Sequence, residues 1–153
     1  MKRIAMATAL FLLPLDDVRA ESGQAIFARS CATCHFTQRD PARRDEMVAP
    51  PIDMLSARLR QVTANDRAAF ISRVVAYVRH PDAAKSVDPM AVQRFGLMPA
   101  IGDTFPDLKD AELQEVAGWM FDAHAGTRLP AGAGTGMGMG GGMGMGGGQR
   151  GRP

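Results

Sequence analysis

The residues with the clearest chemistry are Cys31, Cys34 and His35, which lie in the run Cys-Ala-Thr-Cys-His. Cys-x-x-Cys-His is the attachment pattern of a c-type haem. Each thiol can add across one vinyl group of the porphyrin, and the two intervening residues set the spacing of the vinyls. The histidine that follows is then held beneath the iron, where an imidazole nitrogen can bind it. The motif therefore predicts one covalently attached haem c with His35 as an axial iron ligand.

Other uses of a Cys-x-x-Cys pair fit this chain less well. A zinc site would need a second pair of ligands at the right spacing, and His80 and His124 are isolated from each other. A thioredoxin-like redox motif would need a βαβ setting, which no alternating strand pattern supplies here. Because the haem uses both thiols, no cysteine is left to form a disulfide.

The N-terminal segment predicts export. Lys2 and Arg3 precede an apolar run over residues 4–15, and Val18 and Ala20 supply apolar and small residues at the −3 and −1 positions. This layout is typical of a secretory signal peptide, residues 1–20, cleaved after about Ala20. An uncleaved anchor is the alternative, although the run is short for a bilayer. Because c-type haem is attached outside the bacterial cytoplasm, the motif and the signal peptide both predict a periplasmic protein.

Length and charge indicate one small domain over residues 21–129. A domain of about 105 residues builds only a modest core, which a covalently held haem would help to fill. The formal net charge of +2 is close to neutral and gives no reason to expect nucleic acid as a partner. Residues 21–79 hold nine Arg and six acids, whereas residues 80–128 hold four bases and eight acids. This asymmetry fits either two solvated faces or a docking surface for an acidic partner.

The tail over residues 130–153 has an unusual composition. Residues 131–153 contain 12 of the chain's 17 glycines, and this glycine content predicts disorder. The tail also offers four thioethers in Gly-Met repeats: Met137, Met139, Met143 and Met145. Soft sulfur ligands prefer Cu(I), so the tail is either a flexible extension or a weak Cu(I) site.

Hydrophobic periodicity predicts an all-α domain. Helices are expected over residues 22–30, 53–60, 66–79 and 107–122, with irregular stretches over 37–51 and 82–105. Asp53 is expected to cap the second helix, and Gly126 to terminate the last one. The third helix carries an apolar stripe that is expected to face the core: Phe70, Ile71, Val74, Val75 and Val78.

Over about residues 22–124 the chain resembles the small single-haem class I cytochromes c. Besides the haem motif, Gly23 and Phe27 precede Cys31 by eight and four residues, and Trp119 lies in the C-terminal helix. The resemblance implies the cytochrome c fold, in which the N- and C-terminal helices cross over a covalently bound haem. A glycine, here Gly23, lies at the crossing; Trp119 would pack across it and Gly118 would assist. Single-electron transfer, without enzymatic activity, is the function that the resemblance implies.

The resemblance also implies a methionine as the second axial ligand, in the loop before the last helix. Met98, followed by Pro99, fits that position. A thioether is soft and uncharged, so it favours ferrous iron. Other side chains could take the same place: Met47, Met54, Met90, Met120, His80 and His124. In the family a proline carbonyl accepts the other ring N–H of the axial histidine, and Pro50 is preferred slightly over Pro51 for this role. Arg58 and Arg60 are candidate donors to the haem propionates.

The sequence thus predicts a periplasmic single-electron carrier with donor and acceptor proteins as partners, reaching a membrane only through them. Two alternatives stay open. The chain could be the haem subunit of a dehydrogenase or oxidase complex, or a five-coordinate haem enzyme or sensor if Met98 does not bind iron.

Overall fold

The computed structural model describes residues 21–130, and the predicted signal peptide and nearly all of the tail lie outside this range. The described part is helical and contains no β-strand, so the all-α prediction is confirmed. Its α-helices are α1 (Gly23–Ser30), α2 (Ile52–Val62), α3 (Arg67–Arg79), α4 (Pro89–Phe95), α5 (Ile101–Thr104) and α6 (Asp110–Ala123). Two 3₁₀ helices, Pro41–Glu46 and Ala83–Lys85, lie in the connections. No helix within residues 21–130 is long and apolar enough to cross a membrane.

Helix α1 packs against α6 with Gly23 at the contact. A Cβ atom placed on Gly23 would clash with the carbonyl group of Glu115 and would lie 2.9 Å from Cβ of Trp119. One turn further, the Phe27 and Trp119 rings pack with centroids 5.0 Å apart. The predicted glycine contact between the first and last helices is therefore present in the structure. Gly118 does not take part in it, because it faces the guanidinium of Arg67 on α3.

The core lies where α1 and α3 pack on α6. Phe70 of α3 is completely buried, and its ring meets Phe121 of α6 edge-on at 5.2 Å between centroids. Of the predicted stripe on α3, Phe70 and Val74 are buried, while the other three members are half-buried against the core. The core residues are Ile26, Phe27, Ile52, Leu59, Phe70, Val74, Ile101, Leu108, Leu113, Val116, Ala117 and Met120.

Helix α3 follows its prediction closely, because its end signals are strong. The Asp66 side chain accepts a hydrogen bond from the N–H of Ala69, which begins the helix, and His80 before Pro81 ends it. At α2, by contrast, Pro51 is the N-cap and Asp53 lies inside the first turn. Helix α6 ends at Ala123, and its C-cap His124 lies two residues before Gly126.

The stretch over residues 82–105 was expected to be irregular and is partly helical. Asp88 caps α4 by accepting the N–H of Ala91 at 3.1 Å, and Pro89 supplies a helical φ at its first position. Gly96, with a φ of 84°, ends α4 in the left-handed region. Helices of seven and four residues leave too short an apolar repeat for periodicity to detect.

Candidate functional site

The haem motif continues directly from α1. Cys31 caps the C-terminus of α1, where its N–H donates to the carbonyl of Phe27 at 2.8 Å. The N–H groups of Cys34 and His35 then both donate to the carbonyl of Cys31, at 3.1 and 3.0 Å. These bonds curl the motif into a turn. The fold holds both cysteines and the histidine in one short, hydrogen-bonded unit.

A second contact brings the start of α2 to this unit. The N–H of Ile52 donates to the carbonyl of Phe36 at 2.8 Å, and that of Asp53 donates to the carbonyl of Thr37 at 3.2 Å. The carboxylate of Asp53 in turn accepts the N–H of Arg39 at 3.1 Å. The loop after the motif therefore returns to it, and Pro50 lies next to the His35 ring.

A hydrogen bond to one ring nitrogen fixes the orientation of the His35 side chain. Its Nδ1 lies 2.8 Å from the carbonyl oxygen of Pro50, and because a carbonyl only accepts, Nδ1 carries the proton and donates it. The tautomer leaves Nε2 as the nitrogen with a free lone pair, which is the form that binds a metal. Burial lowers the pKa of His35, and the bond to Pro50 opposes this only in part, which also favours the neutral imidazole.

Both thiols are free in the structure. Cys31 is half-buried, and burial raises its pKa to about 11, whereas Cys34 is exposed. Two uncommitted thiols beside an imidazole with a free Nε2 match the chemistry that a c-type haem requires: two sulfur attachment points and one nitrogen ligand. The donor set therefore fits this group.

Met98 lies half-buried in the irregular segment between α4 and α5, two residues after Gly96. The end of α4 touches the segment that leads to Pro50, because Arg94 Nη2 donates to the carbonyl of Arg44 at 3.4 Å. The chain leading to Met98 and the chain leading to the His35 partner are thus neighbours.

The competing iron ligands occupy different settings. Met90 is 67% exposed on α4, and Met120 is buried in the core among apolar side chains. His80 is exposed at the end of α3. His124 is buried at the end of α6, with its ring edge-on to Trp119 at 5.5 Å between centroids. Met47 and Met54 are half-buried, as Met98 is.

The two arginines expected near the propionates are engaged with protein groups. Arg60 donates to the carbonyl of Phe121 and covers the Phe121 ring at 3.6 Å, so it joins α2 to the end of α6. Arg58 forms an ion pair with Asp88, with 3.0 Å between Nε and Oδ2. Neither partnership could be read from the sequence, because Phe121 and Asp88 reach α2 only through the tertiary fold.

Comparison with known proteins gives one family and one relative. The model of the family described as "Cytochrome C oxidase, cbb3-type, subunit III" matches residues 18–120. An uncharacterized protein of Aquifex aeolicus (strain VF5) is 30% identical over 131 residues, which cover 77% of this chain and 84% of that protein. No solved structure matches the chain.

Proposed function

We propose that this chain, which belongs to the cytochrome c family described as "Cytochrome C oxidase, cbb3-type, subunit III", is a periplasmic carrier of single electrons. A cytochrome c domain carries haem c, and the family acts in electron transfer. The proposal adds that there is one haem, that it is covalently attached through Cys31 and Cys34, and that His35 and Met98 are the axial ligands. The observation that carries it is the His35–Pro50 hydrogen bond, which leaves Nε2 available.

Each site residue has a distinct role in this proposal. Cys31 and Cys34 would hold the haem through one thioether bond each, with each S–H adding across one vinyl group. His35 presents Nε2 while Pro50 holds the ring in orientation. When bound, haem c supplies an iron that exchanges one electron between the ferric and ferrous states.

Whether Met98 binds the iron determines whether the protein is an electron carrier or a ligand-binding protein. A thioether raises the reduction potential relative to a second histidine because it is soft and uncharged. As an iron ligand, Met98 would also keep substrates and gases from binding the iron. Electron exchange with partner proteins then proceeds without any bond to the iron being made or broken.

The test is the optical spectrum of the mature protein, compared with Met98→Ala. Loss of a ferric charge-transfer band typical of sulfur ligation is expected in Met98→Ala, together with CO binding to the ferrous protein. Met90→Ala is the matched control, because Met90 belongs to the same stretch but is 67% exposed, and it should keep the wild-type spectrum.

Two results would contradict this assignment. An unchanged Met98→Ala spectrum would transfer the ligand role to another methionine or a histidine. A wild-type protein that is high-spin and binds CO readily would have an open iron site, which supports the enzyme or sensor alternative.

A second candidate is favoured by the family description itself, which names an oxidase subunit. In that case the protein would be bound permanently to a larger redox complex. Purification of the tagged full chain from its native host, in low and high salt, distinguishes the two. A free shuttle elutes alone in both, whereas a subunit retains its partners.

Periplasmic location has its own check. The predicted cleavage after about Ala20 would give a mature N-terminus near Glu21. Osmotic-shock release followed by N-terminal sequencing would establish it, and a protein that stays with the membrane fraction and begins at Met1 would contradict it.

A further inference from the structure

Arg58 and Asp88 join α2 to the beginning of α4 across a partly enclosed contact. Their side chains are only 21% and 15% exposed, and Nε and Oδ2 lie 3.0 Å apart. Arg67–Asp122, which also joins two helices at 3.0 Å, is by contrast 52% and 62% exposed. Solvent screens the exposed pair strongly, whereas loss of one partner in an enclosed pair leaves a charge poorly solvated.

Asp88 has a second structural task. Its carboxylate is the N-cap of α4, since Oδ1 accepts the N–H of Ala91 at 3.1 Å, while its own N–H donates to Oγ of Ser86 at 3.2 Å. The two carboxylate oxygens of Asp88 thus have separate partners. Oδ1 accepts the hydrogen bond that caps α4, and Oδ2 pairs with Arg58 of α2. The position of the α4 N-terminus is therefore fixed from outside α4.

Helix α4 connects this fixed N-terminus to the segment that contains Met98. It is only seven residues long, and Gly96 ends it two residues before Met98. At its C-terminal end, Arg94 reaches the carbonyl of Arg44 at 3.4 Å, in an exposed contact. Of these two contacts, the Arg58–Asp88 pair is the more costly to break, because removal of one partner leaves the other charge poorly solvated.

We propose that Asp88 and Arg58 are positioning residues for Met98. By fixing the start of α4, they keep the thioether over the iron and so keep the second axial position closed to external ligands. This inference rests on the proposed function, because it presupposes that Met98 is an iron ligand. Without the ion pair, the segment over residues 88–98 would move away from the iron more often, and the protein would gain the ligand binding of a sensor.

The experiment measures the affinity of the ferric, haem-loaded full chain for imidazole, which binds only when Met98 leaves the iron. Its apparent affinity therefore reports how often the methionine is displaced. Asp88→Asn is the chosen variant, because asparagine is also a good N-cap and only the charge is lost. We expect Asp88→Asn and Arg58→Gln to bind imidazole about tenfold more tightly than wild type.

Two further variants make the result specific. Arg58→Lys keeps the cation and should return affinity to within about threefold of wild type. Asp122→Asn breaks the exposed Arg67–Asp122 pair and should leave imidazole affinity unchanged. Titration well below each variant's unfolding temperature separates displacement of Met98 from general unfolding.

Each contrary outcome has a different meaning. Wild-type imidazole affinity in Asp88→Asn and Arg58→Gln, with the sulfur band present, would overturn the positioning role and leave Met98 as ligand. An equal gain in Asp122→Asn would overturn it as well, because the effect would then reflect overall stability. Absence of the sulfur band from the wild-type protein would overturn the proposed ligation and this inference together.

Discussion

At the scale of single residues, His124 is a polar side chain that the described part of the fold buries without a hydrogen bond to one ring nitrogen. It is 4% exposed, and its Nε2 has no hydrogen-bond partner within residues 21–130. Burial lowers the pKa of His124, the charge of Asp53 opposes this, and that of Arg60 adds to it. The folded protein therefore holds a neutral imidazole at a pH where the unfolded chain begins to protonate it.

This environment predicts a pH-dependent stability with a definite sign. Because the pKa of His124 is lowered on folding, its contribution is present above about pH 6.5 and is lost as the pH falls toward the folded value. In His124→Leu the decrease in unfolding temperature between pH 7 and pH 5 should be smaller than in wild type. Thermal unfolding followed by far-UV circular dichroism would measure it.

The exposed His80 provides the control for this experiment. Like His124, it is the C-cap residue of its helix, but it is exposed in the folded protein. His80→Leu should keep the wild-type pH dependence. If His124→Leu also kept it, protonation of His124 would not be linked to unfolding.

Whether a residue's role could be predicted depends on how far along the chain its partners lie. Cys31, Cys34 and His35 act within five positions, so their spacing alone indicates their chemistry. Pro50 was one of two candidates, and only the fold distinguishes its carbonyl from that of Pro51. Arg60 was one of two candidate propionate donors, and its contact with Phe121 could not be predicted, because Phe121 comes from a helix that no local pattern connects to α2.

At the scale of elements, the crossing of α1 and α6 depends on the absence of a side chain at position 23. In Gly23→Ala, higher helix propensity would favour α1 by about 1 kcal/mol. The new methyl group, however, would meet the backbone carbonyl of Glu115, which cannot rotate away as a side chain can. Overpacking of this kind costs about 1–3 kcal/mol, and a backbone neighbour places it at the upper end.

We therefore expect Gly23→Ala to lower the free energy of unfolding by about 2 kcal/mol, seen as an unfolding temperature roughly 8–15 °C lower. Gly102→Ala is the matched control, because Gly102 is also helical and a Cβ there would meet nothing within 4 Å. It should be neutral or slightly stabilising. Equal unfolding temperatures of Gly23→Ala and Gly102→Ala would contradict this prediction, because α1 and α6 could then move apart without loss of stability.

Prediction of elements succeeded where caps and apolar repeats coincide. Asp66, the stripe from Phe70 and the His80-Pro81 boundary define α3 almost to the residue. Helices α4 and α5 were missed because they are too short to show a repeat. The pair Asp88-Pro89 does carry an N-cap and first-turn signal that could have indicated α4.

At the scale of the whole molecule, the family and the all-α fold were predicted correctly. The haem motif identifies the family, and three of the four expected helices begin within one residue of their predicted positions, at Gly23, Ile52 and Arg67. The fourth, α6, begins later, at Asp110, because Pro106 and Asp107 form a turn before it and Lys109 is its N-cap. The relative arrangement of α2, α4 and α6 required the structure, since it depends on partners distant in the chain.

The predicted tail lies almost wholly outside the described residues, and its copper chemistry remains a prediction from the sequence. Deletion of residues 131–153 should abolish weak Cu(I) binding, measured by competition with a chromogenic Cu(I) chelator, and leave the haem spectrum unchanged. Replacing the four tail methionines with leucine in the full chain should have the same effect. Cu(I) binding that survives both changes would place the site in the domain.

The contact of α1 with α6 also bears on the order in which the chain folds. Arg29 and Glu112, which pair across these helices at 2.6 Å, are 83 positions apart. During synthesis this contact cannot form until the last helix has emerged. The Cys31–His35 segment, at the end of α1, therefore stays accessible until almost the whole domain has been delivered. The same helix crossing that stabilises the finished protein thus leaves an interval in which the thiols can be reached and modified.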